Sequence, residues 1–309
     1  MKLKMLLSVF LLSTLGLSTT RSLPNDGIHL AVRPTCGNLS GAAANVNAGL
    51  RSLKEYKTIV AFGDSYTDGG VRDGGPRLPA VVIPPNPKAG GRTTNGPVWV
   101  EDLGTDTKAL VMDYALYLLF FTKYPDILAT VSLFLNQSNN LDSETTLYSS
   151  FFGINDVAAS STDGTANLPV AAQTIIDQIT LLTKPPTNAR SFLVLDEYGR
   201  GSESMAGDAF KQQYFTGLNT LSKLIPGFKV AFIDFKTIWS GVLGPAPGFA
   251  AFGYTSSGAC TVNSSTTVGA CSDPDHTFYW IPGHPSKETH RIMADYVEEA
   301  LVQCASSRR

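Results

Sequence analysis

The sequence predicts an α/β layer fold built on buried parallel strands, and three observations carry that prediction. Apolar runs of strand length recur along the chain, each meeting Gly or an acidic residue at its end. Between them lie segments whose apolar residues return every three or four positions, and such alternation of strand and helix marks an α/β layer architecture. A chain of 309 residues, 43% of them hydrophobic, is long enough for one large α/β domain and short for two.

In chain order, residues 1–20 read as a secretory signal peptide: Lys2 and Lys4, an apolar run over residues 5–17, then small residues. Residues 21–57 form a Gly/Ala/Asn-rich lead, too polar and irregular for a domain of its own, and it is expected to wrap the surface. The domain proper is placed at 58–309. Strands are expected at 58–62 (TIVAF), 147–152 (LYSSFF), 192–195 (FLVL) and 230–235 (VAFIDF), all short and rich in β-branched or aromatic residues. Helices are expected at 171–182 (AAQTIIDQITLL), 210–224 (FKQQYFTGLNTLSKL) and 285–302. In the last of these, Ile292, Met293, Tyr296, Val297 and Ala300 form one stripe, and Pro285 and Ser286 suit a helix start. The longest apolar run after the signal, residues 114–121 (YALYLLFF), stops at Thr122 and Lys123, short of the roughly 20 residues a membrane span needs.

Charge and cysteine usage narrow the setting. With 24 basic and 26 acidic residues and no long run of either sign, the chain offers no track for nucleic acid and no polybasic membrane patch. Neither partner is expected, and a monomer is. Export agrees with the sequons at Asn38 (NLS), Asn136 (NQS) and Asn263 (NSS), which are glycosylation candidates. The cysteines Cys36, Cys260, Cys271 and Cys304 lack the CxxC spacing of a zinc or redox site, and their even number fits disulfides. Cys260 and Cys271 flank a polar loop and are expected to close it, which leaves Cys36 with Cys304 by elimination only.

The candidate chemistry sits at strand ends, where ligands bind in open α/β sheets. Gly63-Asp64-Ser65 follows the first strand, and Gly153-Ile154-Asn155-Asp156 follows the second. Gly, Asp and Ser are ordinary turn residues, so Ser65 alone says little. His284 changes that reading, because it stands in a loop just before the last helix, and a serine hydroxyl becomes a nucleophile only when a base takes its proton. The backbone N–H of Ser65 and the side-chain amide of Asn155 would then hold a developing oxyanion. Of the other histidines, His29 lies in the lead, His276 in the same loop as His284, and His290 inside the last helix, where packing is at least as good a reading as catalysis. Asn155 has its own alternative, capping the turn that follows.

With these residues in view, FGDSYTDGG, GRTTNGPVW, FFGIND and HPSKETH resemble the ordered sequence blocks of the SGNH, or GDSL, hydrolase superfamily, most closely its secreted fungal acetylesterases of carbohydrate esterase family 16. The resemblance implies a flavodoxin-like three-layer α/β/α fold and metal-independent ester hydrolysis through an acyl-serine, with no cofactor. It carries over Ser65 as nucleophile, His284 as general base and Asn155 as oxyanion donor. It also implies acetylated sugar oligomers, or other small esters, as substrates.

Two departures stand out against that pattern. Where the family usually keeps an aspartate, three residues before the histidine, this chain has Ile281, so Asp273, Asp275 or a backbone carbonyl is expected to orient the imidazole. The family's second block usually reads D-Y-A and then a glycine whose N–H completes the oxyanion hole. Here Asp113-Tyr114-Ala115 is followed by a glycine-free apolar run, which removes that donor or marks a misplaced splice junction. The alternatives are a longer-chain lipase, with the aromatic run as acyl pocket, and a secreted carbohydrate-binding protein that has lost turnover.

Overall fold

The structure, a computed structural model, describes residues 27–116 and 126–305. The expected signal peptide and most of the apolar run after Ala115, residues 117–125, lie outside the described residues. Five parallel strands carry the fold: β2 (Thr58–Gly63), β3 (Leu110–Asp113), β4 (Thr146–Phe151), β5 (Ser191–Asp196) and β6 (Lys229–Asp234). A three-residue strand β1 (Val46–Ala48) pairs antiparallel with β6, giving the order β1-β6-β5-β4-β2-β3. The lead therefore does more than wrap the surface, since it supplies one edge of the sheet. Asn45 and Asn47 fix it there: Asn45 Oδ1 accepts the Asp234 N–H at 2.9 Å, and Asn47 Nδ2 donates to the Leu301 carbonyl at 2.9 Å.

Strand residues alternate between two cores, as the two-residue period of a β-strand requires. Ile59, Ala61, Leu193, Leu195 and Ile233 join one core with α1 (Trp99–Thr107), α6 (Lys236–Leu243) and α7 (Lys287–Gln303). Val60, Phe62, Tyr148, Phe192 and Phe232 join the other with α2 (Asp126–Asn136), α4 (Leu168–Leu182) and α5 (Met205–Leu224). The result is the three-layer α/β/α arrangement, and no helix among the described residues is long and apolar enough to cross a membrane. A short helix, α3 (Ile154–Asp163), follows β4, and a two-stranded sheet of β7 (Ser256–Ala259) and β8 (Thr277–Tyr279) precedes α7.

Both expected disulfides form, Cys260 with Cys271 and Cys36 with Cys304. The first closes the polar loop beside Trp280 and Ile281, and the second ties the lead to the end of α7. The three sequon asparagines Asn38, Asn136 and Asn263 are all exposed. Because β2 pairs with β3 on one side and β4 on the other, the strand order reverses at β2, and in open α/β sheets ligands bind at the carboxyl ends of strands at such a point.

Candidate active site

Ser65 stands two residues beyond β2, in a turn that its neighbours hold from every side. Asp64 Oδ1 accepts the Tyr66 N–H at 3.0 Å, and the Asp64 carbonyl accepts the N–H groups of Thr67 and Asp68, both at 3.0 Å. Thr93, from the GRTTNG block, donates its hydroxyl to the Ser65 carbonyl at 2.8 Å. That block is itself anchored by a buried ion pair between Arg92 and Glu101, and Asn95 Oδ1 accepts the Lys287 N–H at 2.8 Å, joining it to the first turn of α7. The Ser65 N–H has no hydrogen-bond partner among the described residues.

His284 reaches this turn from the far end of the chain. Residues 281–284 have the pattern of a type II turn, with Pro282 second, Gly283 third at φ 74°, and the His284 N–H donating to the Ile281 carbonyl at 2.9 Å. A β-carbon at Gly283 would be strained at that φ. The imidazole Nε2 lies 3.0 Å from Ser65 Oγ, and Nδ1 lies 3.3 Å from the Pro282 carbonyl. A carbonyl only accepts, so Nδ1 carries the proton and Nε2 offers its lone pair to the serine hydroxyl. Burial pushes His284 down to about 4, and the nearby Arg200 and Lys88 cations push the same way, against the Pro282 carbonyl.

The aspartates expected to stand in for the missing acid do not take that place. Asp273 Oδ1 is 2.9 Å from His276 Nδ1, and Asp275 pairs with Lys287 Nζ at 3.0 Å. Ile281 is fully buried against Cys260 and Trp280, so the position three residues before the base belongs to the core of the disulfide loop. The acceptor at Nδ1 is instead a main-chain carbonyl, one of the substitutes the sequence left open.

Asn155 is exposed in the first turn of α3, directly beyond the strand that pairs with β2. Gly153 is the N-cap, at φ 121°, so Asn155 does not cap the helix, and its amide makes no hydrogen bond among the described residues. A side chain at Gly153 would run into the Phe210 ring, 2.6 Å away. After β3, the two N–H groups nearest the expected glycine are already engaged. Ala115 donates to Asp113 Oδ1 at 2.8 Å and Leu116 to the Gly63 carbonyl at 3.1 Å. Asp113 also accepts the Gly69 N–H at 2.6 Å, and burial pushes its carboxyl up to about 8. The two donors expected from the sequence, the Ser65 N–H and the Asn155 amide, both lack a hydrogen-bond partner among the described residues.

Sequence reasoning passed over Tyr66. Its hydroxyl donates to the Gly283 carbonyl at 2.6 Å, and its ring lies against His284, Phe151 and Trp239. One residue beside the nucleophile therefore holds the turn that presents the base, and its place next to Ser65 was the only available signal. Tyr66→Phe is expected to lower kcat for ester hydrolysis about tenfold with KM within about twofold, the size of one lost hydrogen bond. Steady-state kinetics check this, and an unchanged kcat would show the tether to be idle. The remaining histidines stand apart from the serine: His29 is exposed, His276 bonds Asp273, and His290 is fully buried with Nδ1 accepting the Trp99 N–H at 3.3 Å.

A family model described as GDSL-like Lipase/Acylhydrolase matches residues 59–297. No curated protein matches the sequence. Among solved structures, the chain is similar to an α/β hydrolase enzyme from the metagenome of Lake Arreo in Spain, at 14% identity and TM-score 0.47, over 81% of this chain and 97% of the other. It is also similar to an acetylxylan esterase from Geobacillus stearothermophilus, at 16% identity and TM-score 0.44, over 82% and 97%. A lipase from a goat rumen metagenome matches at 12% identity and TM-score 0.40, over 79% and 96%.

Proposed function

Because the chain belongs to the GDSL-like lipase/acylhydrolase family, and is thus an ester-bond hydrolase, we propose that it is a secreted serine esterase that removes acetyl groups from short plant cell-wall oligosaccharides. The observation that carries the mechanism is the 3.0 Å approach of His284 Nε2 to Ser65 Oγ at the carboxyl ends of the parallel strands. Ser65 attacks the ester carbonyl while His284 takes its proton. The Ser65 N–H and the Asn155 amide hold the oxyanion, and His284 then passes the proton to the departing sugar alkoxide. Water, activated by the same imidazole, releases acetate from the acyl-serine. The site uses no metal ion in this sequence of steps.

A two-donor oxyanion hole implies a slower enzyme than one with three, by about a hundred- to thousandfold for a donor lost. Purified protein is expected to release 4-nitrophenol from 4-nitrophenyl acetate, and acetate from acetylated xylo-oligosaccharides, at least about tenfold faster than it hydrolyses the octanoate ester. A preference for octanoate would make it a longer-chain acylhydrolase. Binding of the acetylated sugars with no turnover of any ester would overturn the catalytic reading in favour of a carbohydrate-binding protein.

A further inference from the structure

Arg200 has no role in the chemistry described so far, yet it borders the catalytic base. It follows β5 in the loop Tyr198-Gly199-Arg200-Gly201, with φ 46°, a left-handed conformation that a non-glycine residue rarely adopts. Its guanidinium sits against the histidine turn, so that a methyl group in place of a Gly283 hydrogen would meet Arg200 Nη1 at 3.1 Å. The side chain is half-buried and makes no hydrogen bond or ion pair among the described residues.

No carboxylate pairs directly with that cation among the described residues. Of the acids flanking it in sequence, Glu203 binds Lys236, and Glu197 is buried, with burial, reinforced by the charges of Asp196 and Asp234, pushing its carboxyl well above the ordinary range. Lys88, which also acts on His284, lies in the field of Arg72 and Asp68. Arg200 and Lys88 thus both act on His284 as cations, although the chain as a whole carries a formal charge of −2.

We propose that Arg200 binds a carboxylate carried by the alcohol half of the substrate, so that the enzyme prefers acetylated sugars bearing a uronic acid near the acetyl group. The side of the ester follows from the chemistry. His284 must return its proton to the departing alkoxide, so the alcohol half lies beside the imidazole, and Arg200 lies beside it too. A planar guanidinium with an unused fork of N–H groups suits a carboxylate. Once bound, that anion would offset the cations that disfavour the imidazolium, and so supply from the substrate the negative charge that Ile281 cannot.

This proposal rests on the esterase reading, and its test separates the two. The kcat/KM values for acetylated xylotriose with and without a glucuronic acid substituent are compared in the wild type, Arg200→Gln and Arg200→Lys. The wild type is expected to favour the acidic substrate about ten- to hundredfold, the size of one charge-assisted hydrogen bond. That ratio should fall towards one in Arg200→Gln and persist in part in Arg200→Lys. A wild-type ratio near one, or a ratio that Arg200→Gln leaves intact, overturns the proposal. Binding of the deacetylated acidic and neutral trisaccharides to Ser65→Ala is measured in parallel. If no ester is turned over, the esterase reading fails, and tighter binding of the acidic sugar that is lost in Ser65→Ala/Arg200→Gln still supports the Arg200 site, while equal binding overturns it.

Discussion

Ser65→Ala is expected to lower kcat/KM for 4-nitrophenyl acetate by at least about a thousandfold, because without the hydroxyl no acyl-enzyme forms and only the oxyanion donors and binding remain. The fold should not notice. The turn around Ser65 is held through its carbonyl, which accepts from Thr93, and through Asp64, while the hydroxyl itself contacts His284. The thermal midpoint should stay within a few degrees of wild type, about what a surface-sized change in stability produces. Equal activity in the two proteins would remove Ser65 from the mechanism.

The second large effect belongs to His284. His284→Ala should cost about as much as the serine, since the two act as a unit. In the wild type, the pH profile carries a signature of the missing acid. The base works only when neutral, and burial together with Arg200 and Lys88 holds it at about 4. The acid limb of kcat/KM should therefore fall near pH 4, with full activity retained down to about pH 5, in place of a fall near an ordinary histidine value of about 6.5. The same depression acts on stability. Between the unfolded value of about 6.5 and the folded value, the unfolded chain binds a proton that the native state does not. His284 thus contributes stability that is present above about pH 6.5 and lost as pH falls towards 4. His290, pushed by burial down to about 3, adds to the same acid loss. Rate measurements across pH 3–8 decide the first point, and an inflection at or above 6.5 would mean that a carboxylate reaches the imidazole in solution.

Much of this architecture was legible because the central strands are uninterrupted runs of β-branched and aromatic residues, buried on both faces. The expected strands agree with β2, β4, β5 and β6 to within a residue or so at each end. Strand β3 has only four residues, starts at the exposed Leu110, and was read as a catalytic block and not as a strand. Strand β1 was harder still. Three residues, one of them Asn47, carry no apolar pattern, and their place in the sheet depends on amide hydrogen bonds to Asp234 and Leu301, far off in sequence.

At the site, Ser65 and His284 were legible as residue types in a known order, and the structure brings them to hydrogen-bond distance. The partner of His284 stayed open between two aspartates and a backbone carbonyl, because a main-chain carbonyl has no letter in a sequence. Asp273 finds a nearer partner in His276, only three residues on, and a local contact of that kind needs no long loop to fold back. Thr93, Tyr66 and Arg200 were missed for a common reason: each acts on a segment distant in the chain.

The bridge between Cys36 and Cys304 has a consequence for how the chain is made. Its two halves are separated by 268 positions, and β1 pairs with β6, whose residues 230–232 also come late. During vectorial synthesis Cys36 therefore emerges long before its partner, and Cys260 and Cys271 both appear ahead of Cys304. The covalent clasp can therefore close only after the residues of every strand have been made. Once closed, it makes the polypeptide between those two cysteines a single loop, which one proteolytic cut opens without parting into fragments.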